Sequence, residues 1–145
     1  MKPDLRARAL SCLARREYSR QELRRKLAPH AEDAGTLDTL LDELQTRGWL
    51  SEARFVEQIL HARQGKYGMQ RIAHELREKG VAEALIEEVL PQIKETELET
   101  ARAVWAKKFG ALPQDAKERA RQMRFLQSRG FSLDVIGKVL RCSEE

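Results

Sequence analysis

A chain of 145 residues with a net charge of +4 is of one-domain length, and can hold one modest core or several small ones in series. Hydrophobic residues at 41%, charged residues at 34% and only four prolines, with few β-branched side chains, argue for exposed helices and against a sheet. No apolar run approaches the roughly 20 residues of a membrane span and the opening Met1–Leu10 lacks a signal-peptide apolar block, so a cytoplasmic location is expected.

Residues 4–16 predict a first helix with Leu5, Ala9, Cys12 and Leu13 on one face. Cys12 and Cys142 lie near opposite ends without a Cys or His at ligand spacing, and are read as buried or incidental thiols rather than a disulfide or zinc site. The second helix opens at a capping box, Ser19 with Glu22, turns Leu23 and Leu27 inward and Arg24 and Arg25 outward, and closes at Pro29. From Thr36 to Arg47, Leu37, Leu40, Leu41 and Leu44 form an i, i+3, i+4, i+7 stripe. Gly48 suits a left-handed C′ position, with Trp49 expected to fold back on the last turn. The same spacing recurs at Leu76–Lys79–Gly80–Val81 and at Leu126–Arg129–Gly130–Phe131, which by itself argues for helix caps.

Ser51 opens a helix with Phe55, Val56, Ile59 and Leu60 inward, and Met69, Ile72, Ala73 and Leu76 mark the next. Leu85, Ile86, Val89, Leu90 and Ile93 mark a third, in which Pro91 predicts an end or a kink. A helix over 95–109 presents Leu98, Ala101, Trp105 and Phe109; the loop Gly110–Pro113 leads to a helix over 114–129; and Ser132 caps a last helix carrying Leu133, Ile136, Val139 and Leu140. The reading is all-α: nine helices as three tandem three-helix repeats over 1–48, 49–94 and 95–145, stacked into an elongated, curved body.

No catalytic constellation is legible. His30, His61 and His74 are scattered, no phosphate loop is present, and the carboxylates are spaced as solvated helix faces, so neither an enzyme nor a cofactor or metal site is expected. Charge is better organised: basic blocks over 15–26, 63–79 and 102–129 alternate with acidic blocks over 32–43 and 83–99. Lys117, Arg121 and Arg124 fall at i, i+4 and i+7 as one stripe, interrupted only by Glu118, which is expected to project elsewhere. The loop Arg63–Gly68 brings Arg63, Lys66 and Tyr67 to a helix N-terminus whose free N–H groups favour anions, and Arg71 has Glu75 at i+4 to take part of its charge. Tyr67 can stack on a base, or anchor the packing of adjacent helices.

The stretches Ala9–Leu27 and Arg47–Val81 resemble the RecX family, modulators of the RecA recombinase. In the second stretch Gly48-Trp49-Leu50, Arg54-Phe55, Arg63, Gly68, Ile72, Glu75-Leu76 and Lys79-Gly80-Val81 fall in the family's order. The segments Trp105–Gly110 and Arg124–Leu140 resemble its third repeat. Trp49 stands where the family usually has Tyr, and Ser51-Glu52 replaces its commoner paired aspartates. The resemblance implies a protein that binds the RecA filament on single-stranded DNA, and also DNA itself; a monomer is expected, since nothing in the sequence demands a dimer. The resemblance also implies inhibition of recombinase, ATPase and coprotease activities, and so modulation of recombination and DNA repair. Under that reading the contact residues expected to meet DNA phosphates or RecA carboxylates are Arg20, Arg24, Arg25 and Lys26; Arg63, Lys66 and Arg71; and Lys117, Arg121 and Arg124. The alternative is a helix-turn-helix-like module acting on duplex DNA without a filament partner, although no helix carries an evident base-reading cluster.

Overall fold

The computed structural model describes residues 4–141, and every regular element among them is helical. The helices are α1 (Leu5–Arg15), α2 (Arg20–Leu27), α3 (Ala34–Thr46), α4 (Glu52–Arg63), α5 (Met69–Glu78), α6 (Glu83–Lys108), α7 (Ala116–Ser128) and α8 (Leu133–Arg141), with a 3₁₀ turn at Ala28–His30. The all-α expectation holds. The helix count does not: among the described residues there are eight α-helices, because α6 runs without a break through Pro91. Proline removes the N–H that would bond the Glu87 carbonyl. Both residues lie on the exposed side of α6, where water can take that carbonyl, while Ile86 and Ala101 hold the helix down on either side.

By contacts the chain divides into two units: the described residues up to Ile59 with Leu76–Glu83, and Leu60–Glu75 with the described residues from Ala84. In the first, the Asp4 carboxylate accepts from the Ala7 N–H at 2.6 Å and opens α1. The capping box of α2 is complete, with the Ser19 hydroxyl accepting from the Glu22 N–H and Glu22 accepting from the Ser19 N–H, both at 3.1 Å. Asp33 caps α3 by accepting from the Thr36 N–H at 2.7 Å. The leucine stripe of α3 is buried with Leu23, Leu27, Tyr18 and Ala9 in one core. Each such leucine contributes about 1.5–3 kcal/mol by leaving water.

The α3 cap has the predicted bonding but a different apolar partner. Gly48 donates to the Gln45 carbonyl at 3.0 Å and Trp49 to the Leu44 carbonyl at 2.9 Å, a Schellman closure. Trp49 nevertheless stays 40% exposed and Leu50 is the residue that reaches the core. The indole is drawn outward by the Arg6 and Arg47 guanidiniums, 5.5 and 5.2 Å from its ring, both of which are bonded to Glu43. The caps at Gly80 and Gly130 repeat the bond pair, and there Val81 and Phe131 do fold back into buried positions.

In the second unit Ala101, Leu126, Phe131, Ile136, Val139 and Leu140 form a core, whereas Leu133, at the first position of α8, is 59% exposed. A helix-end joint is built in each unit. In the first, the Gln21 amide donates to the Glu78 carbonyl at 3.1 Å, closely enough that a Cβ on Gly80 would meet Gln21 at 2.0 Å. In the second, Arg71 donates to the Ser128 carbonyl at 3.0 Å, and a Cβ on Gly130 would meet the Arg71 Cβ at 2.3 Å. Both bonds span 57 residues. The second joint also pairs backbones: Gly68 donates to the Arg129 carbonyl at 2.8 Å and Gln70 to the Gly130 carbonyl at 3.2 Å.

Candidate functional site

The structure sorts the ten predicted contact cations by what they already hold. Arg20 is bound to Asp42 at 2.8 Å and to Gln45, and Arg24 is bound to Asp38, so the acidic outer face of α3 takes up half of the first set. Arg63 forms a fork on Glu75 at 2.8 and 2.9 Å, which raises its pKa above the ordinary value. Glu75 therefore does not serve Arg71, whose guanidinium goes to the Ser128 carbonyl. Nor does Glu118 project elsewhere, for it binds Arg121 at 2.9 and 3.1 Å as an i, i+3 neighbour. That hydrogen bond holds the Glu118 carboxyl below its usual range. Arg25, Lys26, Lys66, Lys117 and Arg124 are exposed and have no ion-pair partner among the described residues.

The N-terminus of α5 is not free for an anion. Its Met69 N–H donates to the Glu97 carboxylate at 2.6 Å and its Gln70 N–H to the Gly130 carbonyl. Glu97 is buried on α6 and supplies from another helix the cap that Gly68, lacking a side chain, does not. Tyr67 is half-buried and ringed by guanidiniums: Arg71 at 4.2 Å, Arg129 at 5.5 Å and Arg63 at 5.9 Å from its ring centre. Of the two roles open to it, packing anchor is the one its surroundings match.

From Tyr67 an alternation of rings and cations continues across the second unit. Arg129 also lies 5.1 Å from the Phe125 ring, Lys108 lies 5.4 Å from the same ring, Phe125 meets Phe109 edge-on at 5.4 Å, and Arg121 lies 5.1 Å from Phe109. Beside this ladder opens a cleft of about 340 Å³ with Lys66, Lys107, Lys108 and Arg129 around it and Val104 and Phe125 in its wall. No carboxylate lines it. Rings hold cations in place through the quadrupole without neutralising them, as a carboxylate would, so the cleft keeps its positive potential.

Comparison with known proteins identifies the scaffold. Family models described as the second and third three-helix domains of RecX match residues 51–90 and 95–140. A curated protein named Regulatory protein RecX, from Leptothrix cholodnii, is 51% identical over 140 residues, covering 97% of this chain and 89% of its own. The chain belongs to the RecX family. A relative of the same name from Ralstonia pickettii is 47% identical and covers 97% of this chain and 89% of its own. The fold agrees with a crystal structure of RecX from Lactobacillus salivarius, with a TM-score of 0.81 and 16% identity over 97% of this chain and 94% of that one. These relatives are named as regulatory proteins.

Within this RecX scaffold the sequence reading found Lys66 but missed Lys107, Lys108 and Arg129. A signal for them exists in the local pattern, since Trp105–Phe109 and Arg124–Arg129 both interleave aromatics with cations. All three lie in the basic block over 102–129, and Arg129 is also the residue before a capping glycine. Among the described residues no group of His, Cys, Asp and Glu could hold a metal ion, and no helix is long and apolar enough to cross a membrane.

Proposed function

We propose that this protein binds the RecA filament assembled on single-stranded DNA and lowers its recombinase, ATPase and coprotease activities, thereby modulating recombination and DNA repair. It acts as a monomer in the cytoplasm, without a catalytic site of its own, through three three-helix repeats over residues 1–48, 49–94 and 95–145. The observation that carries this reading is membership of the RecX family over 97% of the chain. The uncompensated cations give the binding its chemistry: Arg25 and Lys26 on α2, Lys66 in the α4–α5 loop, and Lys117 and Arg124 on α7. Of the remaining predicted contacts, Arg20, Arg24, Arg63, Arg71 and Arg121 orient those elements through their internal bonds.

The test is to titrate the purified protein into RecA hydrolysing ATP on single-stranded DNA. Inhibition at protein levels well below those of RecA is expected, since a regulator of a polymer acts on many protomers at once. No inhibition at any ratio, together with tight binding to duplex DNA alone, would transfer the assignment to the duplex-binding alternative.

A further inference from the structure

The cleft beside the aromatic ladder carries an inference about its ligand. Four cations, Lys66, Lys107, Lys108 and Arg129, converge on one concavity that no carboxylate lines. Like charges held together without a counter-ion repel one another, and this chain accepts that cost although Glu residues balance Arg63 and Arg121 close by. Lys108 and Arg129 are positioned instead by Phe125, and Arg129 is shared with Tyr67, so their charges stay available for an incoming anion.

Two further features define that anion. The four cations come from the loop before α5, the last turn of α6 and the end of α7, whereas the neighbouring concavity with Lys108, Phe109 and Arg121 also holds Asp115 and Glu118, so the uncompensated positive charge is concentrated in the cleft. A single protein carboxylate satisfies one cation, whereas a polynucleotide presents a charge at every nucleotide and can meet several of the four together. The rings of Phe125 and Tyr67 are already occupied by cations, which leaves phosphate rather than base stacking as the contact. A flexible single strand can lay its backbone into a recess, while a duplex is stiff on this length scale. We infer that the cleft formed by Lys66, Lys107, Lys108 and Arg129 is a receptor for the backbone phosphates of single-stranded nucleic acid. This deepens the filament reading by giving its nucleic-acid contact a place, and it is tested without RecA so that the two fail separately.

The experiment follows binding of a fluorescent oligo-dT to the full chain by anisotropy over a series of salt concentrations. The variant Lys107→Gln/Lys108→Gln retains part of each alkyl stem and removes two charges from exposed positions in the last turn of α6. Its affinity should fall about tenfold, and its salt slope should shrink by roughly 1.4, the release expected for two single-strand phosphates. The control Lys94→Gln/Arg102→Gln removes the same charge from exposed positions earlier on α6 and should change neither quantity appreciably. ATP and inorganic phosphate, each at the phosphate concentration of the oligonucleotide, should leave binding intact. Unchanged affinity and slope in the first variant, an equal loss in the control, or displacement by ATP or phosphate would overturn the inference. The last result would identify a free-phosphate site. If the oligonucleotide binds as expected but RecA hydrolysis is unaffected, the filament reading fails while the cleft stands.

Discussion

At the scale of single residues, Glu22 shows how much one carboxylate can organise. It closes the α2 capping box, lies 3.0 Å from the Lys79 ammonium and accepts from Arg16 at 3.3 Å. Burial alone would raise its pKa, but the Ser19 N–H, Lys79 and Arg16 together hold it below the ordinary 4.5. A depressed carboxyl contributes stability that is fully present above its unfolded value and is lost as pH falls through the folded one. Glu22→Gln should therefore lower stability at neutral pH by about 1 kcal/mol and make the decline between ~pH 6 and ~pH 3 shallower than in the wild type. Urea denaturation at several pH values measures both, and parallel pH profiles for the two proteins would show that Glu22 is not the group responsible. Cations divide on the same principle. Arg63 has a carboxylate and is spent, whereas Lys108 has a ring and keeps its charge outward.

At the scale of elements, local rules explain most helix starts and stops, and the exceptions are where another helix intervenes. Asp4, Ser19, Asp33 and Asp115 cap their own helices, as the residue types predict. The start of α5 is different, because a side chain on Gly68 would meet the Gly130 carbonyl oxygen at 2.4 Å. The position must be glycine, a glycine has no capping group, and Glu97 of α6 supplies one. Glu97→Ala leaves the half-buried Met69 N–H without its acceptor and should cost roughly 1–3 kcal/mol. It should also speed hydrogen exchange at Met69 and in the loop over 65–68, while the caps of α1 and α2 exchange as before. Faster exchange spread evenly over all helices would instead indicate a general loss of packing.

At the scale of the whole molecule, net charge says less than which charges are left over. The acidic outer face of α3 takes up Arg20 and Arg24, while Lys117 and Arg124 on α7 have no ion-pair partner among the described residues. Two double charge reversals should accordingly behave differently. Lys117→Glu/Arg124→Glu should weaken binding to the RecA filament and flatten its salt dependence with little change in Tm. Arg20→Glu/Arg24→Glu sets like charges against Asp42 and Asp38 and should lower Tm before it affects binding. A salt titration of filament binding beside a thermal melt separates them. Equal effects on binding at equal Tm would mean that internal pairing does not decide which cations are used.

The sequence alone determined the helices, most of their ends, the buried faces and the family, because each depends on neighbours within a turn or two along the chain. Leu37–Leu44, the Ser19–Glu22 box and the three glycine closures are of this kind, and the matching order of such signals over the whole chain carried the RecX resemblance. Where local rules misled, a distant group had changed the balance. Two buried anchors carried α6 through Pro91, two guanidiniums kept Trp49 outward, and Glu97 with Gly130 filled the N-terminus of α5. The candidate site depended most on tertiary structure. Lys66, Lys107, Lys108 and Arg129 come from a loop and two helix ends, and only folding brings their charges around one cleft and shows that rings, not carboxylates, stand behind Lys108 and Arg129. Composition fixes how many charges a chain carries; folding fixes which of them are cancelled.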